Sequence, residues 1–186
     1  MLLEIALIQK LSVFLGHPTY ALGILLFTLI ASTGVGSFLS DKLPLRRMPG
    51  LILLPLLTAG AVMVIRLQLN ELLTRMIASP ITNRIAASIL LIFPLGILMG
   101  CFFPTGMTLA RRTTAGDTPW FWALNGVFGV LCSVLAVFLS IYYGISTNFY
   151  LAAVCYAASA VFLTRMLIAP SSLPHVEVRS DPPPLA

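Results

Sequence analysis

Charge is what this sequence has least of. Only 9% of its 186 residues are charged, against about a quarter in an ordinary soluble domain. A soluble chain of this length leaves about a third of its unfolded surface in water. With 59% hydrophobic residues, too little polar surface exists to cover that area, so the solvent that fits is lipid. The other scarcities exclude chemistry. Of the two histidines, His17 precedes Pro18 without a catalytic partner and His175 sits in a polar tail. The cysteines Cys101, Cys132 and Cys155 each lie within an apolar run, with no CxxC spacing. They read as small buried hydrophobes, neither a disulfide framework nor a metal site. No GxSxG, HExxH or Walker pattern occurs, and the GVG of Gly34–Gly36 lies inside an apolar run, where no dinucleotide loop can form. No enzyme active site, cofactor or metal is expected. The net charge of +5 is divided among short clusters, so nucleic acid is not an expected partner; the lipid bilayer is.

What the sequence does have is long apolar runs. Five can cross a bilayer: residues 19–39, 51–67, 85–109, 120–143 and 149–168. Arg66 and Arg165, near segment ends, can snorkel to the headgroups, and Trp120, Trp122, Tyr142, Tyr143 and Tyr150 gather where interfacial aromatics belong. The expected fold is all-α, an integral membrane bundle over residues 1–169 with a disordered tail over 170–186. Residues 1–15 are apolar but too short to span. At about 100° per residue, Glu4, Gln9, Lys10 and Ser12 spread over about two-thirds of the helical wheel, a poor interfacial helix. Glu4 stands where a signal peptide would be basic. This stretch reads as the second part of a spanning helix whose beginning is missing, which implies a truncated chain.

Counting that helix as the first of six, Lys42, Arg46, Arg47, Arg111, Arg112, Arg165 and Arg179 fall on one side. Lys10, Arg66, Arg75 and Arg84 fall on the other. The excess places the first side, and the C-terminus, in the cytoplasm. The link from Arg66 to Arg84 is then external.

Several features bear on function, each with two readings. Glu4 is the one acid inside an apolar run, and a carboxylate at depth is either a coupling site for a proton or cation or a hydrogen-bond partner of another helix. The loop GSFLSDKLPLRR, Gly36 to Arg47, is similar to the acidic-then-basic loop between the second and third helices of major facilitator transporters. Ser37, Asp41, Lys42, Arg46 and Arg47 fill its pattern with one extra residue before the two arginines, and the Asp41 carboxylate beside the guanidinium groups would latch neighbouring helices; the plainer reading is a cytoplasmic anchor. In GILMGCFFPTGM, Gly96 and Gly100 form a GxxxG, and Pro94 and Pro104 permit kinks. Close helix packing and a gated cavity both fit. Asn125 follows Trp120 and Trp122 and can bond a neighbouring helix or a substrate. Gly126, Gly129, Ser133 and Ala136 continue one face, as tight packing requires.

Taken in order, EIALIQKLSVFLGHPTYALGILLFTLIASTGVGSFLSD, GCFFPTGM and PWFWALNGVFGVLCSVLAV resemble the membrane region of bacterial spermidine-synthase-like multi-pass proteins. The resemblance covers Glu4 to Ile168. It implies a facilitator-like membrane part joined, in a parent protein, to a spermidine-synthase-like domain. That domain's Gly-rich loop and acidic residues are missing from this sequence, so no catalytic residue carries over. The resemblance implies residence in the bacterial inner membrane and one of two roles: moving a small molecule such as a polyamine, or anchoring a synthase-like domain. Other helices of a larger assembly are the further partners it implies.

Overall fold

The computed structural model describes residues 1–42, 48–113 and 118–168. They form six helices: α1 Leu2–Leu15, α2 Pro18–Lys42, α3 Met48–Met76, α4 Ile81–Thr113, α5 Thr118–Tyr143 and α6 Ser146–Ile168. Helices α2 to α6 are long and apolar enough to cross a membrane, and the chain is a multi-pass all-α membrane protein. Helix α1, 14 residues, is about 21 Å long at 1.5 Å per residue, short of the roughly 30 Å hydrocarbon layer. The tail beyond Ile168, and Arg46 and Arg47, lie outside the described residues.

Local chemistry sets the joints. Gly16 closes α1 with φ 79°, a left-handed conformation that glycine adopts without a Cβ penalty. Pro18 then opens α2, and His17 Nδ1 accepts the Thr19 N–H at 3.2 Å. His17 is therefore a helix cap. Gly144, with φ 87°, makes the equally tight turn from α5 to α6.

The closest contact in the bundle joins α2 to α4, which run parallel. A Cβ added at Gly36 would strike the Ile97 carbonyl, one at Gly96 the Ser32 hydroxyl, and one at Gly100 the Thr33 backbone. The Cys101 thiol donates to the Gly36 carbonyl at 3.2 Å. Between the two readings of the GxxxG, close packing is the one observed. Gly36 is its partner on α2.

Helix α1 is wedged beside this pair, although its length is the least of the six. Leu3, Leu7, Leu11 and Phe14 form an i, i+4, i+8, i+11 stripe, all nearly inaccessible, and the helix touches α2, α4, α5 and α6. Helix α3 lies outside, mainly against α6.

Two boundaries differ from expectation. The second span does not end at Leu67, since α3 continues to Met76; α4 begins at Ile81, so the link between them shrinks to residues 77–80. Hydropathy falls after Arg66, but LQLNELLTRM still suits a helix. Leu69 is buried, Leu73 and Met76 pack on the core, and Glu71 pairs with Arg75 one turn on.

Overpacking the α2–α4 seam should be costly. Gly100→Leu is expected to lower stability by about 1–3 kcal/mol or more in reversible unfolding from mixed micelles. Gly60→Leu, at an exposed site with nothing within 4 Å of an added Cβ, should change it by no more than about 0.5 kcal/mol.

Candidate functional site

The candidate residues divide between the two ends of the bundle. At the end holding Met1, Glu4 is half-buried on α1, its Oε2 3.4 Å from the Met1 amine. Asn125 is exposed on α5 and bonds no described residue, so it is no buried link between helices. It borders an open groove of about 290 Å³ with Leu3, Met99, Phe128, Cys155 and Tyr156. Helices α1, α4, α5 and α6 thus share this groove, but Glu4 does not line it. Asp41 ends α2 and its side chain lies outside the described residues, as do Arg46 and Arg47.

Helix α4 runs unbroken through Pro94 and Pro104. Pro104 does not reach the Asn125 groove. Its neighbours Thr105 and Gly106 instead face Pro55 and Leu51 of α3 across a space of about 60 Å³. Gly96 and Gly100 pack against Ser32 and Thr33 of α2. The small-residue face of α5 is tight only at Ala136, which is buried; Gly126 is exposed. Of the thiols only Cys101 is buried, Cys132 is partly so, and Cys155 is exposed. Their helices turn that surface outward, and a small apolar thiol suits lipid as well as a protein core.

The opposite end, where α1 closes at Gly16, carries a polar layer that the sequence reading did not single out. Asn148, fully buried on α6, donates from Nδ2 to the Ala136 carbonyl at 2.9 Å and to Ser140 Oγ at 2.8 Å. Ser140 Oγ in turn donates to Gln9 Oε1 at 2.7 Å. Three helices are tied by one relay. Asn148 Oδ1 keeps no partner among the described residues, leaving a buried acceptor beside it.

Cations surround this relay. Lys10 Nζ donates to Asn70 Oδ1 at 3.1 Å, joining α1 to α3. Arg84 donates from a terminal nitrogen to the Phe14 carbonyl at 2.7 Å, covering one of the free carbonyls at the end of α1. Arg66 lies over the Tyr150 ring, 5.5 Å from its centroid. The Nε atoms of Arg66 and Arg84 are buried without a partner among the described residues. In the sequence these cations looked like topological markers, because their partners lie up to 70 residues away. A lone Asn two residues into an apolar helix gave no periodic signal either.

Chemically, the relay holds no group that ionises near neutrality, so it can pass or accept hydrogen bonds but not charge. Glu4 is the one described carboxylate within the packed part of the bundle. Comparison with family models, curated proteins and solved structures yields no match.

The relay should behave as a unit. Asn148→Leu is expected to cost about 1–3 kcal/mol, and Gln9→Leu less. Combined, they should fall short of additivity by about 0.6–1.7 kcal/mol, the range of interhelical bonds in lipid. A double-mutant cycle on unfolding in mixed micelles measures this.

Proposed function

We propose that this chain is a facilitator-like transmembrane module that moves a small cationic molecule, a polyamine being the expected class, across the bacterial inner membrane. The observation that supports it is the pattern of helix pairing. Exchange α1 with α4, α2 with α5, and α3 with α6. The α2–α4 contact then maps onto α5–α1, α1–α2 onto α4–α5, and α3–α4 onto α6–α1, while α3–α6 and α1–α4 map onto themselves; α5–α6 alone lacks a counterpart, because α2 and α3 make no comparable contact. Two three-helix units related in this way are the internal repeat of a six-helix facilitator half.

The two units are unequal. Helix α2 is locked to α4 by glycines, whereas only Ala136 of residues 119–143 is buried on α5. A loosely held α5 beside the Asn125 groove is the element suited to move. Glu4 supplies the negative charge a polyamine or proton would seek in a medium of low dielectric. In this reading the Met1 end faces the cytoplasm: α2, α4 and α6 end there, the side to which the sequence assigns its excess of Lys and Arg.

The second reading, a non-transporting anchor for a synthase-like domain, draws on a different observation. The interior between α1, α2 and α4 is filled by Leu7, Leu11, Leu25 and Leu95, all essentially inaccessible.

Uptake of labelled spermidine into proteoliposomes separates the two. Transport predicts accumulation that Glu4→Gln cuts by about tenfold or more, the scale of one lost charge-assisted contact. Absence of flux under every imposed gradient favours the anchor. Flux with unchanged pH dependence in Glu4→Gln removes Glu4 from the mechanism.

A further inference from the structure

The cleft beside Lys10 is a separate feature from the Asn125 groove. It lies between α1 and α3 at the Gly16 end, encloses about 350 Å³, and has two kinds of wall. Gln9, Lys10 and Asn70 are polar; Val13, Phe14 and Ile77 are among the apolar residues. We propose that this cleft binds the headgroup of an anionic phospholipid, with the Lys10 ammonium as the phosphate contact.

Charge is unbalanced at this cleft. A lysine ammonium has three donors, and Asn70 Oδ1, a neutral acceptor, takes one of them. No described carboxylate pairs with Lys10. Glu71, which follows Asn70 in the chain, is engaged by Arg75 on the same helix. Arg66 and Arg84 add two more cations at this end with no described acid against either. Arg84 also already covers the end of α1 through the Phe14 carbonyl, so Lys10 is not needed there. A half-buried lysine whose ammonium opens to the surface at a membrane boundary, with two donors unused, is a site for an anion.

Depth and shape favour a lipid over a free anion. Lys10 stands five residues, about 7.5 Å, before the end of α1, and its stem is long enough to bring the ammonium toward the phosphate layer. Val13 at the cleft is 77% exposed, which makes the apolar wall continuous with the outer surface of the bundle. An acyl chain can lie there while the phosphate meets Lys10 and the Gln9 and Asn70 amides. A small soluble anion would leave that apolar wall without a partner.

Native mass spectrometry of the purified chain, released from phosphatidylcholine bilayers with and without phosphatidylglycerol, tests this. The wild-type chain should retain phosphatidylglycerol about fivefold over phosphatidylcholine, the scale of one Lys near an anionic surface. Lys10→Gln, whose amide can still bond Asn70, should bring the two lipids to parity, and Lys10→Arg should restore the preference. Arg75→Gln, on the exposed side of α3, should leave it unchanged. Equal retention by the wild type, an unchanged preference in Lys10→Gln, or displacement of the lipid by inorganic phosphate would each overturn the proposal.

Discussion

Everything in this bundle is arranged around the place where two parallel helices come closer than any side chain would permit. Gly36, Gly96 and Gly100 let the backbones of α2 and α4 meet, and in lipid such contact is a main source of helix association, since lipid chains already satisfy apolar side chains. Two parallel helices in one chain need a third to return across the membrane. Helix α3 does this from outside the pair and finds its own partner in α6. The concave side of the pair is left for α1, whose leucine stripe fills it.

The polar groups obey the same solvent. Along the spans, hydroxyls turn back to carbonyls one turn earlier: Ser32 to Thr28, Thr58 to Leu54, Thr105 to Cys101 and Ser133 to Gly129. They need no partner helix, which keeps the middle of the bundle largely apolar, although the buried Thr28 hydroxyl has no partner among the described residues. Apart from the Cys101 thiol on the Gly36 carbonyl, cross-helix polar contacts gather at the Gly16 end, in the Gln9–Ser140–Asn148 relay, the Lys10–Asn70 pair and the Arg84–Phe14 bond. One end thus fixes the helices by hydrogen bonds and the middle fixes them by shape. Near Asn125 at the Met1 end no hydrogen bond between described residues ties α5 to another helix, and α5 meets α4 there through the Phe103–Trp122 ring contact.

Much of this was legible in the residues, for a stated reason. Helix number and lipid as solvent follow from composition and run length, which depend on no partner. The short α1 was visible as an apolar stretch of insufficient length with its polar residues spread round the wheel. Its place at the centre was not, because burial of Leu3, Leu7 and Leu11 is decided by other helices. The end of α3 was misplaced because hydropathy measures lipid solubility, whereas the helix persists through Leu69, Leu73 and the Glu71–Arg75 pair. The GxxxG was readable as a motif, yet only its neighbour on α2 could distinguish packing from gating. Asn125 stood out beside two tryptophans and proved to be open, while Asn148, with no such setting, carries the buried relay.

The α2–α4 seam can be tested directly by cross-linking in the membrane. Ser32 Cβ lies 2.9 Å from where a Cβ at position 96 would sit, so a disulfide, with its usual Cβ separation of about 3.8 Å, needs a shift of only about one ångström. With Cys101, Cys132 and Cys155 replaced by alanine and a protease site placed in the α3–α4 link, Ser32→Cys/Gly96→Cys should oxidise readily and hold the two fragments together. Ser32→Cys/Gly126→Cys, whose second position is on the other fragment and exposed on α5 with nothing within 4 Å of an added Cβ, should not. Fragments that separate in the first pair, or cross-link equally in both, would contradict the packing on which the rest of the bundle depends.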